Sequence, residues 1–210
     1  MRRLIDALAP GQRVFTCGFS GESAWLASEL AADPERAADV TFCTVQFPGI
    51  DRLDVLALHP RARVEAHFMT PPVRQAAHEG RADLLALDYL GIVRHLTEGE
   101  PHDVAIAHLT PPDAEGWCSA GLSADFMPIV WPRARRRIAH LNPRLPRTAG
   151  SFRVHRSEIE VAIEADAPLV TYAEPQAGEV EQRIGAHVAA LVHDGDTLQF
   201  GIGSVPPAVV

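Results

Sequence analysis

The feature that most constrains this chain is a steady alternation of two periodicities. Short runs suited to strands, RVFTC (13–17), VTFCTV (40–45), RVEAHF (63–68), DVAIAHL (103–109), RRRIAHL (135–141) and EVAIEA (160–165), are separated by stretches patterned for helices. ESAWLASELAADP places Trp25, Leu26 and Leu30 on one helical face, PPVRQAAHEG has prolines at a helix start and Gly80 at its stop, and DYLGIVRHL follows the short apolar run ADLLAL. Strands that alternate with helices predict an α/β fold whose largely parallel sheet carries helices on both faces. ADFMPIVWPRA reads as a further helix that Pro128 and Pro132 shorten or kink.

The pattern weakens once. PLVTYAEPQAG (168–178) has two prolines and a glycine without periodicity and reads as a linker, which puts domain boundaries at 1–174 and 175–210. Beyond it, EVEQRIGAHVAALV (179–192) is an amphipathic helix with Val180, Ile184 and Val188 on one side, and DGDTLQFGIG reads as a turn and a strand. One helix, one strand and a turn cannot bury a core alone. The layout therefore predicts that 175–210 begins a second domain.

Composition excludes several kinds of chemistry. With 47% hydrophobic and 22% charged residues the chain can bury a core. A net charge of -8 argues against general affinity for nucleic acid or an anionic membrane. All 19 basic residues are arginine, so neither a Schiff-base lysine nor a lysine-bearing phosphate loop is present. Cys17, Cys43 and Cys118 lie far apart with no C-x-x-C pair, and the ten histidines lack ligand spacing, so no metal site is expected. No apolar run approaches membrane-spanning length and the N-terminus is a poor signal peptide, which together predict a cytoplasmic protein.

Four stretches are candidates for function. Gly201-Ile202-Gly203 follows the expected strand and precedes Pro206-Pro207, a turn that would bring backbone N–H groups close to an anion at a helix start. CGFSGES (17–23) resembles a nucleophile elbow but lacks G-x-S-x-G spacing around Ser20, so a turn needing small residues is the better reading. LTPPDAEGWCSAGLSAD (109–125) is a turn-rich loop after a strong strand, suited to binding or to an interface. NPRLPRTAGSFRVHRSEIE (142–160) gathers Arg144, Arg147, Arg153, His155 and Arg156; arginines there could hold a carboxylate or phosphate, but for most of them solvation or pairing with acids such as Glu158 and Glu160 is the better reading.

Taken in order, TPPDAEGWCSAGLSAD, NPRLPRTAG, HRSEIE and DGDTLQFGIGSVPPAVV, with VRQAAHEGRADLLAL before them, resemble the acetyl-CoA hydrolase/transferase family over nearly the whole chain. The resemblance implies a two-domain α/β enzyme, CoA-transferase-like in fold, that moves CoA from an acyl-CoA to a small carboxylate. It implies coenzyme A thioester as substrate, no covalently bound cofactor, and a homo-oligomer or a complementing second-half chain. A glutamate would attack the thioester, pass through an anhydride and become a glutamyl-CoA thioester. The family's glycine turn that contacts CoA maps onto Gly201, Ile202, Gly203, Ser204 and Val205, and Arg147 and His155 become substrate-pocket candidates. The family's glutamate is expected beyond Val210, so the chain alone is expected to be inactive. A stand-alone binding or partner subunit, completed by a separate chain, is the alternative. Thr110, Trp117, Ala120, the Ser204-Val205 pair and Pro207 depart from the usual pattern.

Overall fold

The computed structural model describes residues 2–46, 50–172 and 176–209. The chain forms two compact units, Met1–Val170 and Thr171–Val210. The expected junction at residues 174 and 175 lies outside the described residues.

In the first unit, seven strands make one sheet: β1 (Arg13–Thr16), β2 (Thr41–Thr44), β3 (Arg63–Ala66), β4 (Ala82–Leu84), β5 (Val104–Leu109), β7 (Arg136–Leu141) and β9 (Val161–Glu164). Two more, β6 (Trp117–Ser119) and β8 (Arg153–His155), pair antiparallel beside it. The sheet runs β4-β3-β2-β1-β5-β7-β9 and each neighbouring pair is parallel, with Phe15 opposite Ala105 and Ile106 opposite Ile138. All six residues of β5 are buried, as a central strand covered on both faces requires.

Alternate side chains feed two cores. Val14, Val104, Ile106 and Ile138 pack with Leu26 and Leu30 of α1 (Ala24–Ala32), Val55 of α2 (Val55–Leu58), and Val73 of α3 (Pro71–His78). Phe15, Ala105, Leu109 and Leu141 pack with Ile92 and Leu96 of α4 (Tyr89–Glu98) and Met127 and Val130 of α5 (Met127–Val130). Ser23, Asp54, Thr70 and Asp88 cap the first four helices, each side chain accepting from backbone N–H groups of the first turn. Gly80, at φ +71°, takes the left-handed backbone that stops α3.

One expectation is met and one needs correction in this unit. The helix read over ADFMPIVWPRA is a single turn, because Pro128 can stand only in its first turn and Pro132 cannot extend it. The stretch 109–125, read as a loop, contributes β6, which pairs with β8 from 142–160; both strands are too short for their period to stand out.

The second unit holds α6 (Glu179–Ala189) and a 3-10 turn, Pro206–Ala208, packed so closely that a Cβ on Gly185 would meet Ala208 O at 2.3 Å. The strand expected in DGDTLQFGIG is not formed: 197–201 has no ladder, since no other strand in this unit's described residues lies beside it. On α6, Val180, Ile184 and Val188 are 63%, 43% and 40% exposed. None of the described helices is long and apolar enough to cross a membrane.

Candidate functional site

Strand order reverses between β1 and β5, and a crevice outside the carboxyl ends of such a pair is the usual ligand position in sheets of this kind. The segment leaving β1 is Cys17–Ser23, and its backbone is unusually constrained. A Cβ on Gly18 would lie 2.5 Å from Val45 O, and Phe19 sits at φ +56°, sparsely populated for a bulky residue.

Three carboxylates hold this turn. Gly18 N donates to Asp125 Oδ2 at 3.3 Å and Phe19 N to Asp51 Oδ1 at 2.5 Å. Glu22 Oε2 in turn accepts from the backbone N–H groups of Arg52 and Leu53 at 3.0 and 3.1 Å. Burial raises the Glu22 pKa against those two donors. Burial likewise pushes Asp125 up to about 6, with Asp51 adding to it and the Gly18 and Phe126 amides opposing.

Behind the turn lies a buried polar network at the ends of β5 and β7. His140 Nε2 is 2.9 Å from Ala165 O; a carbonyl only accepts, so Nε2 carries the hydrogen and Nδ1 accepts from Ser23 Oγ at 2.9 Å. Ser23 Oγ also accepts from Leu26 N, as the α1 cap. His108 stacks on His140 with centroids 4.8 Å apart, and its Nε2 accepts from Asn142 Nδ2 at 3.0 Å. Burial, then His140, lowers His108 to about 4, so both rings are neutral near pH 7. The serine of the CGFSGES stretch that meets a histidine is therefore Ser23, buried and spent on a cap, and not Ser20. The three cysteines are buried, free thiols, and burial raises the pKa of each, which makes them poor nucleophiles.

Arg147 and His155 come together on one turn. Arg147 donates to Pro111 O at 2.7 Å, Trp117 O at 3.0 Å and Asp113 Oδ2 at 3.3 Å. His155 meets Glu115 O through Nε2 at 3.2 Å, stands edge-on to Trp117, and caps the 3-10 turn Arg156–Glu158. Arg153 lies 4.9 Å over the Trp117 ring. Of the other arginines, Arg136 and Arg144 pair with Glu160 and Asp166, and Arg133 donates to Leu96 O and Gly99 O at the end of α4.

In the second unit, neither Gly201 nor Gly203 has a positive φ, and a Cβ would meet nothing within 4 Å at Gly201 and only Pro206 Cδ at 3.7 Å at Gly203. No torsion or contact in this unit demands glycine there. Gly201 and Ile202 are exposed, and Ile202 O accepts from Tyr172 Oη at 2.9 Å. The helix terminus expected after the turn is three residues of 3-10 helix whose first two positions are Pro206 and Pro207, which have no N–H to donate. Among the described residues no cluster of His, Cys, Asp or Glu could hold a metal ion.

Sequence reasoning missed Glu22, Asp51 and Asp125. Glu22 lies inside the quoted CGFSGES stretch, but its partners are 30 and 31 residues away.

The family model for the acetyl-CoA hydrolase/transferase N-terminal domain matches residues 2–173. The 4-hydroxybutyrate coenzyme A transferase of Clostridium kluyveri is 38% identical over 149 residues, covering 70% of this chain and 35% of that protein. The succinyl-CoA:cyclohexane-1-carboxylate CoA transferase of Geobacter metallireducens is 33% identical over 150 residues, with 71% and 34% covered. The crystal structure of RipA from Yersinia pestis shares the fold, with a TM-score of 0.83 at 24% identity over 99% of this chain and 52% of that one. The chain thus spans about a third of the length of the curated relatives it matches.

Proposed function

The chain belongs to the acetyl-CoA hydrolase/transferase family, and from that premise we propose that it is the N-terminal portion of an acyl-CoA:carboxylate CoA-transferase. Its part would be to offer the Gly201–Val205 backbone to CoA and to build one wall of the substrate crevice. The observation that carries this reading is the pair Gly201 and Gly203: glycines without torsional or steric need in their own unit leave backbone open to a ligand.

On this reading the buried glutamates of the chain are not the nucleophile. The buried glutamates of this chain are engaged: Glu22 with two backbone amides, Glu29 with Ile5 N and Trp25 Nε1. Glu65, largely buried, pairs with Arg13 and His95. In the reaction a glutamate carboxylate attacks the thioester carbonyl and expels CoA thiolate, leaving an anhydride. The thiolate then attacks the glutamyl carbonyl and releases the first carboxylate; an acceptor carboxylate reverses the sequence. Arg147 and His155 take the part of fixing the 113–117 turn beside the crevice.

A second reading, a non-catalytic subunit completed by a separate chain, is favoured by the exposed apolar row Val180, Ile184 and Val188. Co-purification of a second polypeptide would support it.

The deciding experiment titrates CoA into the chain while following the amide resonances of 201–205. Saturable shifts there are expected, and Gly203→Val should abolish them with helicity unchanged, because its φ accepts a side chain. Shifts that survive Gly203→Val, or never occur, would overturn the assignment.

A further inference from the structure

A cavity of 240 Å³ opens beyond the carboxyl ends of β2 and β3, between α2 and α3. Its floor is aliphatic: Val55 and Leu56 from α2, Val64 from β3 and Val73 from α3. Its rim is polar, with Asp51, Arg52 and Asp54 on the segment that Glu22 ties to the β1 turn. We infer that this cavity seats the acyl end of the thioester and selects a short, uncharged aliphatic group over a dicarboxylic one. The inference rests on the proposed acyl-CoA chemistry.

Size sets the first limit. At roughly 30 Å³ per water-sized group the cavity holds about eight non-hydrogen atoms. That suits a short acyl chain, with or without a hydroxyl, and is below the roughly 300 Å³ at which pockets for larger ligands begin. The floor favours methylene groups.

Charge sets the second. Two carboxylates against one guanidinium leave the rim acidic, so a second carboxylate on the acyl group would meet like charge. The helix starts offer no compensation. Positions one and two of α3 are Pro71 and Pro72, without N–H, and Val73 N is taken by Thr70 Oγ1. At α2, the Leu56 and Ala57 amides are both taken by Asp54 Oδ1.

The test uses the full chain with labelled valine and leucine methyls, titrated with S-butyryl- and S-succinyl-N-acetylcysteamine. The butyryl thioester should shift Val55, Val64 and Val73 saturably, and the succinyl thioester should bind at least about tenfold more weakly. Asp54→Asn, which keeps the cap, should narrow that gap. Leu56→Trp should fill the cavity and remove the butyryl shifts while the CoA response at 201–205 persists. Equal binding of both thioesters, or butyryl shifts confined to other residues while CoA still binds, would overturn the inference and leave the proposed function standing. Thioester binding in the cavity with no CoA response at 201–205 would support the cavity and count against the CoA assignment. No response to any probe would overturn both.

Discussion

Glu22 and Asp51 each accept hydrogen bonds from the other's segment: Asp51 takes the Phe19 amide, and Glu22 takes those of Arg52 and Leu53. This reciprocal clamp fixes the turn after β1, at the switch point, to the wall of the α2–α3 cavity. Buried donors that lose their acceptor cost more than the bond itself was worth. Glu22→Ala, which orphans two N–H groups, is expected to lower stability by about 1–3 kcal/mol. Glu22→Gln, which keeps an acceptor, should cost less. Urea unfolding of the three proteins checks the order.

Asp125 links the same turn to pH. Its folded pKa, about 6, lies above the ordinary 3.8, so between those values the folded chain holds more protons than the unfolded one. Its contribution to stability is therefore present at low pH and is lost as pH rises through about 6. The loss is on the order of 1–3 kcal/mol. Asp125→Asn should remove this dependence and be the more stable protein at pH 7.5, as measured by thermal unfolding across pH 4.5–7.5, a range of about three units. A variant with the same pH profile as the parent would sink the argument.

His102 works in the opposite direction. Burial first, then Arg13, lowers its pKa to about 4, and it stands edge-on to Phe15 with its buried Nε2 lacking a partner. Below about 6.5 the unfolded chain takes a proton that the folded chain refuses, so stability falls as pH drops toward 4. His102→Phe keeps a flat ring and removes both the orphan nitrogen and the titration. It should flatten the acid limb, and at pH 7 should be neutral or stabilising by up to about 1 kcal/mol.

The parts of the fold legible in the sequence were those governed by neighbours a few residues apart. The buried run of β5 and the stop at Gly80 depend on local chain chemistry, and each is where the sequence pattern predicts it. Long-range acceptors were invisible. Arg147 reads as an anion holder because arginine forks suit carboxylates, yet two of its three partners are the carbonyls of Pro111 and Trp117, 36 and 30 residues away. The strand read into DTLQFG failed for a related reason: alternation describes a side chain's preference, while a strand exists only beside another. The Pro206-Pro207 pair signalled a helix start correctly in kind, but the same prolines remove the donors that would make such a start an anion site.

Gly18 and Gly80 separate two reasons for glycine. Gly80 needs one for its torsion, φ +71°, but a Cβ there would meet nothing within 4 Å. Gly18 has extended backbone that any residue adopts, yet its Cβ would sit 2.5 Å from Val45 O and 2.8 Å from Asp51 Oδ1. Gly80→Ala should therefore cost only the left-handed penalty of about 1–2 kcal/mol. Gly18→Ala must push backbone apart or break the Asp51–Phe19 bond, and is expected to cost about 2–4 kcal/mol. The two variants should differ in kind as well as size. Only Gly18→Ala should loosen the segment behind Asp51, speeding amide hydrogen exchange at Phe19, Arg52 and Leu53, whose N–H groups the clamp protects. Equal exchange at those amides in both variants would mean that the close approach at Gly18 does not hold the turn after β1 and the cavity wall together.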